Sequence, residues 1–152
     1  MQKILGIIVA RKGSKGLKDK NIKKINGRPL IYWSIKQAKK SKIISRLIVN
    51  TDSAKVIRIA KRLNVEVPFR RPRRLSTSQS LIFETLKYTV DFFKKKNIFF
   101  KYIVLIEPTS PLREKNDIDN ILKFFLKKKI KSLVTMGKVV CQHPNFLFKL
   151  RN

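Results

Sequence analysis

Two glycines, one serine and five basic side chains are gathered in ARKGSKGLKDKN, residues 10–21, directly after the apolar run ILGIIVA. Gly13 and Gly16 let the backbone turn tightly and expose consecutive N–H groups, and Arg11, Lys15 and Lys20 add charge. That combination suits a polyphosphate; the competing reading is a solvated basic turn. Neither the Walker spacing nor Gly-x-Gly-x-x-Gly is present, so a phosphate cradle here is of another kind. Further along, EPTSPLR places Thr109, Ser110 and Arg113 around two stiffening prolines, either as a preorganised anion or sugar contact or as a rigid turn without a ligand. Arg70 and Arg71 can clamp a carboxylate or phosphate, or lie on the surface. Asp52 can reach a metal or a ribose, but an aspartate between strand and helix is more simply a helix cap. His143 has no assignable partner, and the lone Cys141 excludes an internal disulfide and zinc-ligand spacing.

These loops need strands and helices to hold them. Residues 4–10 form a near-continuous apolar run, as in a strand covered on both faces. A helix opens at Pro29 and runs to about residue 42. RLIVNTD is a second strand ending at Asp52, which with Ser53 can cap the helix AKVIRIAKRLN, closed by Asn64. VEVPF reads as a short third strand broken by Pro68. A helix over about 80–96 precedes the strand YIVLIEP. A last helix over 118–129, capped by Asn116 or Asp117, leads to a strand SLVTMGKV. Strands alternating with amphipathic helices predict an α/β fold with a mainly parallel sheet. In such sheets ligands sit at the carboxyl ends of the strands, so the loops after the first, second and fourth strands should be neighbours. At 152 residues the expectation is one domain over 1–152.

Lysine and arginine total 37 against 9 acidic residues, a net charge of +28 that would attract any polyanion. The lysines are spread over every helix rather than gathered in one stripe, and no nucleic-acid motif is present. Codon bias of an AT-rich genome would by itself produce such a lysine-rich composition, with nonspecific, salt-sensitive adhesion to nucleic acid as a by-product; the competing reading is a charge that serves polyanion binding. No apolar run of about 18 residues exists and no signal-peptide cleavage site follows the first strand, so the expectation is a cytoplasmic chain with no membrane partner.

Taken in order, ARKGSKGLKDKN, LIVNTDS, VPFRRP, LSTSQS, EPTSPLR and QHPNFLFKL closely resemble the acylneuraminate cytidylyltransferases, also called CMP-sialic acid synthetases, over almost the whole chain. The resemblance implies a three-layer, Rossmann-like fold of the GT-A nucleotidyltransferase type, often dimeric. It implies transfer of CMP from CTP to a nonulosonic acid with release of pyrophosphate and with magnesium as cofactor. By the same resemblance, Arg11 and Lys20 contact the CTP phosphates and carry the catalysis, and Gly13, Ser14 and Lys15 complete that loop. Asn21, Arg71 and Ser80 contact the nucleotide, while Glu107, Thr109, Ser110, Arg113 and His143 lie toward the sugar acid.

Three departures stand beside the match. Relatives continue for roughly half as much again, through a dimerisation segment and an Asp-x-Asp pair that binds the metal, so no metal ligand is assigned in this chain. The family's usual glutamine before PTSPLR is Glu107 here, an acceptor-only carboxylate facing anionic substrates. The stretch that usually reads like STDKSSS is STSQSLI at 76–82: Ser76, Thr77 and Ser80 persist, while Ser78, Leu81 and Ile82 replace polar groups. Two alternatives follow: a CTP-binding remnant without transfer activity, and a basic nucleic-acid-binding protein.

Overall fold

The computed structural model describes residues 3–14 and 16–136. Its centre is β1 (Ile4–Val9), flanked by β4 (Arg46–Asn50) and β5 (Tyr102–Ile106), both parallel to it, in the order β4-β1-β5. Ile7 is opposite Ile48 on one side and Leu105 on the other. Side chains of a strand alternate between faces, so a strand buried on both sides must be apolar at every position. Ile4 and Ile8 accordingly meet α1 (Leu30–Ala38), α2 (Ala54–Arg62) and α4 (Asp117–Lys128) through Ile31, Ile35, Val56, Ala60 and Leu122. Leu5 and Ile7 meet α3 (Ile82–Lys94) on the other face, where Phe93 is fully buried with Leu86, Phe92 and Phe100 packed around it. Helices on both faces make the three layers of a Rossmann-like α/β fold.

Gly6 lies where the turn entering β4 crosses β1. A Cβ there would come within 3.0 Å of Ile44 Cγ2 and 3.1 Å of Leu47 Cδ1, so glycine permits the close approach.

Several boundaries differ from the sequence expectation, each for a local reason. VEVPF makes only one isolated bridge, Ile48 with Glu66, and Thr51 bridges Arg70 just after it, because Pro68 between the two cannot donate to a ladder. The first helix stops at Ala38 rather than near 42, and its exit turn is held by Asp119, which accepts from the Ser41 hydroxyl and from Lys42 N at 3.0 Å. The third begins at Ile82 rather than Ser80. Ser80 N donates to Thr77 Oγ1 (3.2 Å) and Ser80 Oγ to Arg74 O (2.7 Å), so local side-chain bonds win over the first helical turn. Ser53, not Asp52, caps α2, accepting from Val56 N at 3.4 Å. Asn64 closes α2 at φ 52° as expected, and Asn116 takes the N-cap position of α4 without a side-chain cap bond. Residues 132–136, the described part of SLVTMGKV, are not in a strand.

One element went unread. β2 (Lys24–Ile25) and β3 (Arg28–Pro29) form a minimal antiparallel hairpin around Asn26 and Gly27, both at positive φ (49° and 72°). Asn-Gly is a strong hairpin signal for that conformation. Trp33 Nε1 donates to Ile25 O at 3.1 Å and ties the hairpin to α1.

Candidate functional site

Of the three loops expected to meet, those after β1 and β5 share one cleft, while the loop after β4 braces the first through Thr51 and Asp52 and is replaced in the lining by the stretch from Arg71 into α3. At the carboxyl ends of the sheet strands lies a cleft of about 550 Å³. The loop after β1 forms its floor with Arg11, Ser14, Leu17, Lys20 and Asn21. The stretch from Arg71 into α3 forms one wall with Leu75, Thr77, Ser80, Ile82 and Thr85. The third side is Glu107, Pro108 and Thr109, after β5.

The basic loop is tied at both ends. Asp52 Oδ1 accepts from Lys12 N at 2.7 Å, and Thr51 Oγ1 donates to Ala10 O at 2.5 Å. The buried Asn21 donates from Nδ2 to Arg11 O at 3.1 Å. Gly13 has φ 74°, a left-handed conformation that side chains rarely adopt, and this turns the chain without putting Gly13 itself in the lining.

Arg71 is the most unusual group in the cleft, because its residue is only 4% exposed. Its Nε donates to Asn50 Oδ1 and its Nη2 to Asn50 O, both at 2.6 Å, and Nη1 has no hydrogen bond to a described residue. Asn50 in turn donates from Nδ2 to Thr89 Oγ1 (2.8 Å), and Thr89 Oγ1 donates to Thr85 O (2.8 Å). Thus a polar relay runs from α3 through the end of β4 to the cleft. Burial pushes the guanidinium down to about 10; Asp52 opposes that fall and Arg11 adds to it. Arg71 is therefore still a cation at neutral pH, held by neutral acceptors and forming no ion pair among the described residues. A buried charge left uncompensated is unfavourable, so the arrangement favours an anion arriving from outside.

On the opposite side, the Glu107 carbonyl accepts from Ser34 Oγ and from Arg113 Nη2, both at 3.1 Å. Arg113 Nη1 donates to Ser110 O at 2.7 Å and to Ser34 Oγ at 3.2 Å, and Gln37 Nε2 donates to Arg113 O at 3.0 Å. Arg113 thus grips its own loop from behind. Burial lowers its pKa, with Glu107 and Asp117 opposing.

Of the residues singled out from sequence, Arg11, Ser14, Lys20, Asn21, Arg71, Ser80, Glu107 and Thr109 line this cleft together. Gly13, Ser110 and Arg113 shape the loops but are outside the lining. Lys15 and His143 lie outside the described residues. Ser80 lines the wall with its hydroxyl already donating to Arg74 O. Sequence reasoning missed Asn50, Thr85 and Thr89. The readable signal was polar residues where apolar ones belong: an asparagine ending a buried strand, and two threonines four apart on the core face of a helix.

Among the described residues no group of three or more His, Cys, Asp or Glu could hold a metal ion, and Glu107 is the one carboxylate lining the cleft. A single carboxylate does not make a magnesium site by itself, so the described donor set does not fit a protein-built metal centre. No described helix is long and apolar enough to cross a membrane.

Residues 5–147 match the family model described as Cytidylyltransferase. The chain is 34% identical over 139 residues to Post-translational flagellin modification protein B of Campylobacter coli, covering 89% of this chain and 58% of that protein. It is 32% identical over 137 residues to the CMP-N,N'-diacetyllegionaminic acid synthase of Legionella pneumophila, covering 90% and 59%. Identity is 33% over 123 residues with the N-acylneuraminate cytidylyltransferase of Escherichia coli O18:K1:H7, covering 81% and 28%. This chain therefore spans under two thirds of the length of each of these relatives. In fold it resembles CMP:2-keto-3-deoxy-manno-octonic acid synthetase complexed with CTP, at a TM-score of 0.68 and 20% identity, over 84% of this chain and 49% of that one.

Proposed function

The chain belongs to the cytidylyltransferase family, and from that premise we propose that the cleft binds CTP and serves transfer of CMP to a nonulosonic acid. The observation that carries this reading is the buried, unpaired Arg71 facing the same cleft as Arg11 and Lys20. The basic loop lies at the end of the central strand, so a triphosphate resting on it leaves one end of the cleft for the base and the other for the acceptor. The α3 side offers apolar surface from the exposed Ile82, with the buried Leu75 and the Arg71 donor in the same wall, which suits a flat base with acceptor atoms. The β5 side offers Glu107 and Thr109, which suit a polyhydroxylated acceptor.

In this reading the acceptor's anomeric hydroxyl attacks the α-phosphorus in line. The new P–O bond forms as the bond to pyrophosphate breaks, and the hydroxyl proton passes to solvent water. Arg11 and Lys20 offset charge on the phosphates, and the tied backbone of their loop holds them in place, so most of the catalysis is positioning and electrostatics. Magnesium, when bound with the nucleotide, would supply further charge neutralisation.

Titrating the chain calorimetrically with CTP, with ATP as comparison, tests the reading. Selective CTP binding is expected, and Arg11→Ala or Lys20→Ala should weaken it by about tenfold or more, as for loss of a charge-assisted phosphate contact. Unchanged affinity in both variants would remove the phosphate-loop assignment. Pyrophosphate release on adding N-acetylneuraminic acid separates a transferase from a CTP-holding remnant.

A further inference from the structure

We infer that Glu107 selects an acceptor that carries a cationic substituent, an amine or amidine, alongside its own carboxylate. The inference rests on the cytidylyltransferase reading of the cleft. Glu107 follows the buried Ile106, precedes the buried Pro108, and has its carbonyl fixed by Ser34 and Arg113. Its side chain therefore starts from a fixed point on the β5 side of the cleft. The ion pairs among the described residues are Arg46 with Glu66 and Lys55 with Asp19, so the Glu107 carboxylate contacts no described cation, and Arg113 senses its charge only at longer range. The guanidinium of Arg113 has its hydrogen bonds committed to the carbonyls of Glu107 and Ser110 and to the Ser34 hydroxyl.

The other charged side chains lining the cleft, Arg11, Lys20 and Arg71, lie on the floor and the α3 wall, where the nucleotide is placed. An acidic acceptor on the β5 side meets Glu107 as a like charge, and an ionised carboxylate accepts hydrogen bonds but donates none. A substituent that is itself positive removes the repulsion and completes the hydrogen bonding; an amidinium can do so with two parallel bonds. Acceptor hydroxyls could also donate to Glu107, but they would leave the like-charge repulsion in place.

The chain saturated with CTP and magnesium is titrated with N-acetylneuraminic acid, with its 9-amino-9-deoxy analogue and with its 5-acetamidino analogue. At least one cationic analogue should bind about tenfold more tightly than the neutral parent, and Glu107→Gln should abolish the difference. Equal binding of all three, tighter binding of the parent, or a preference that survives Glu107→Gln overturns the inference while leaving the cytidylyltransferase reading intact. Binding of none of the three to a CTP-loaded chain overturns the inference and removes the acceptor half of that reading. Failure of CTP itself to bind removes the whole of it.

Discussion

Asn50 holds Arg71 without cancelling its charge, and Asn50→Asp tests whether that matters. The substitution keeps the shape of the side chain and both of its contacts to Arg71, at 2.6 Å through Oδ1 and the carbonyl, but places a full negative charge behind the guanidinium. An anion hydrogen-bonded to the far side of Arg71 would sit about 8 Å from the new carboxylate, two hydrogen bonds and the guanidinium apart. With an effective dielectric of about 20, that repulsion is roughly 2 kcal/mol, or about thirtyfold in affinity. The fold should persist, because the ion pair gained offsets the single donor lost to Thr89, which is worth about 1 kcal/mol. The assay is calorimetric CTP titration at low ionic strength, with urea melts of both proteins to confirm comparable stability. A stable variant with unchanged or improved CTP affinity would refute the claim that Arg71 serves the cleft as an uncancelled cation.

Two further outcomes are expected. Arg113→Lys cannot reach two carbonyls and a hydroxyl with one ammonium, so the Glu107–Ser110 loop should loosen. Amide exchange there should quicken while CTP affinity changes by less than about threefold, as an interaction outside the nucleotide's contacts would. Gly6→Ala forces Ile44 and Leu47 to shift by a few tenths of an ångström in a filled core. Urea denaturation should show a loss of about 1–3 kcal/mol, and an unchanged midpoint would mean that the packing at that crossing is looser than described.

Much of this architecture was legible in the sequence because its signals are strong and local. A near-continuous apolar run such as residues 4–10 is too short for a typical buried helix and reads as a strand covered on both faces, and the amphipathic stretches between such runs fix the crossover layers. Positions at element ends were less legible, since Ser80 and Thr77 satisfy one another and Pro68 interrupts a ladder, effects decided by single hydrogen bonds. Within the site, the convergence of Arg11, Lys20 and Glu107 followed from where parallel strands end, whereas Arg71 enters the cleft from the stretch after VEVPF, which was not among the loops expected to meet. What could not be read was function within the group: Arg113 looks like a ligand contact in EPTSPLR, yet its fork is spent on the loop that carries it. Buried partners such as Asn50 and Thr89 are separated by 39 residues, and only the packed layers bring them together.

The relay from Thr85 through Thr89 and Asn50 to Arg71 also couples occupancy of the cleft to the cohesion of the fold. It joins the layer of α3 to the end of β4, and its last member is a cation whose burial opposes folding while the cleft is empty. An anion that bonds to Arg71 relieves that opposition in the folded chain and does nothing for the unfolded one. By mass action the ligand then strengthens the sheet-to-helix seam itself, rather than only the loop it touches. Resistance of α3 to exchange and to heat becomes a readout of what lies in the cleft, on the far side of the sheet from α1, α2 and α4.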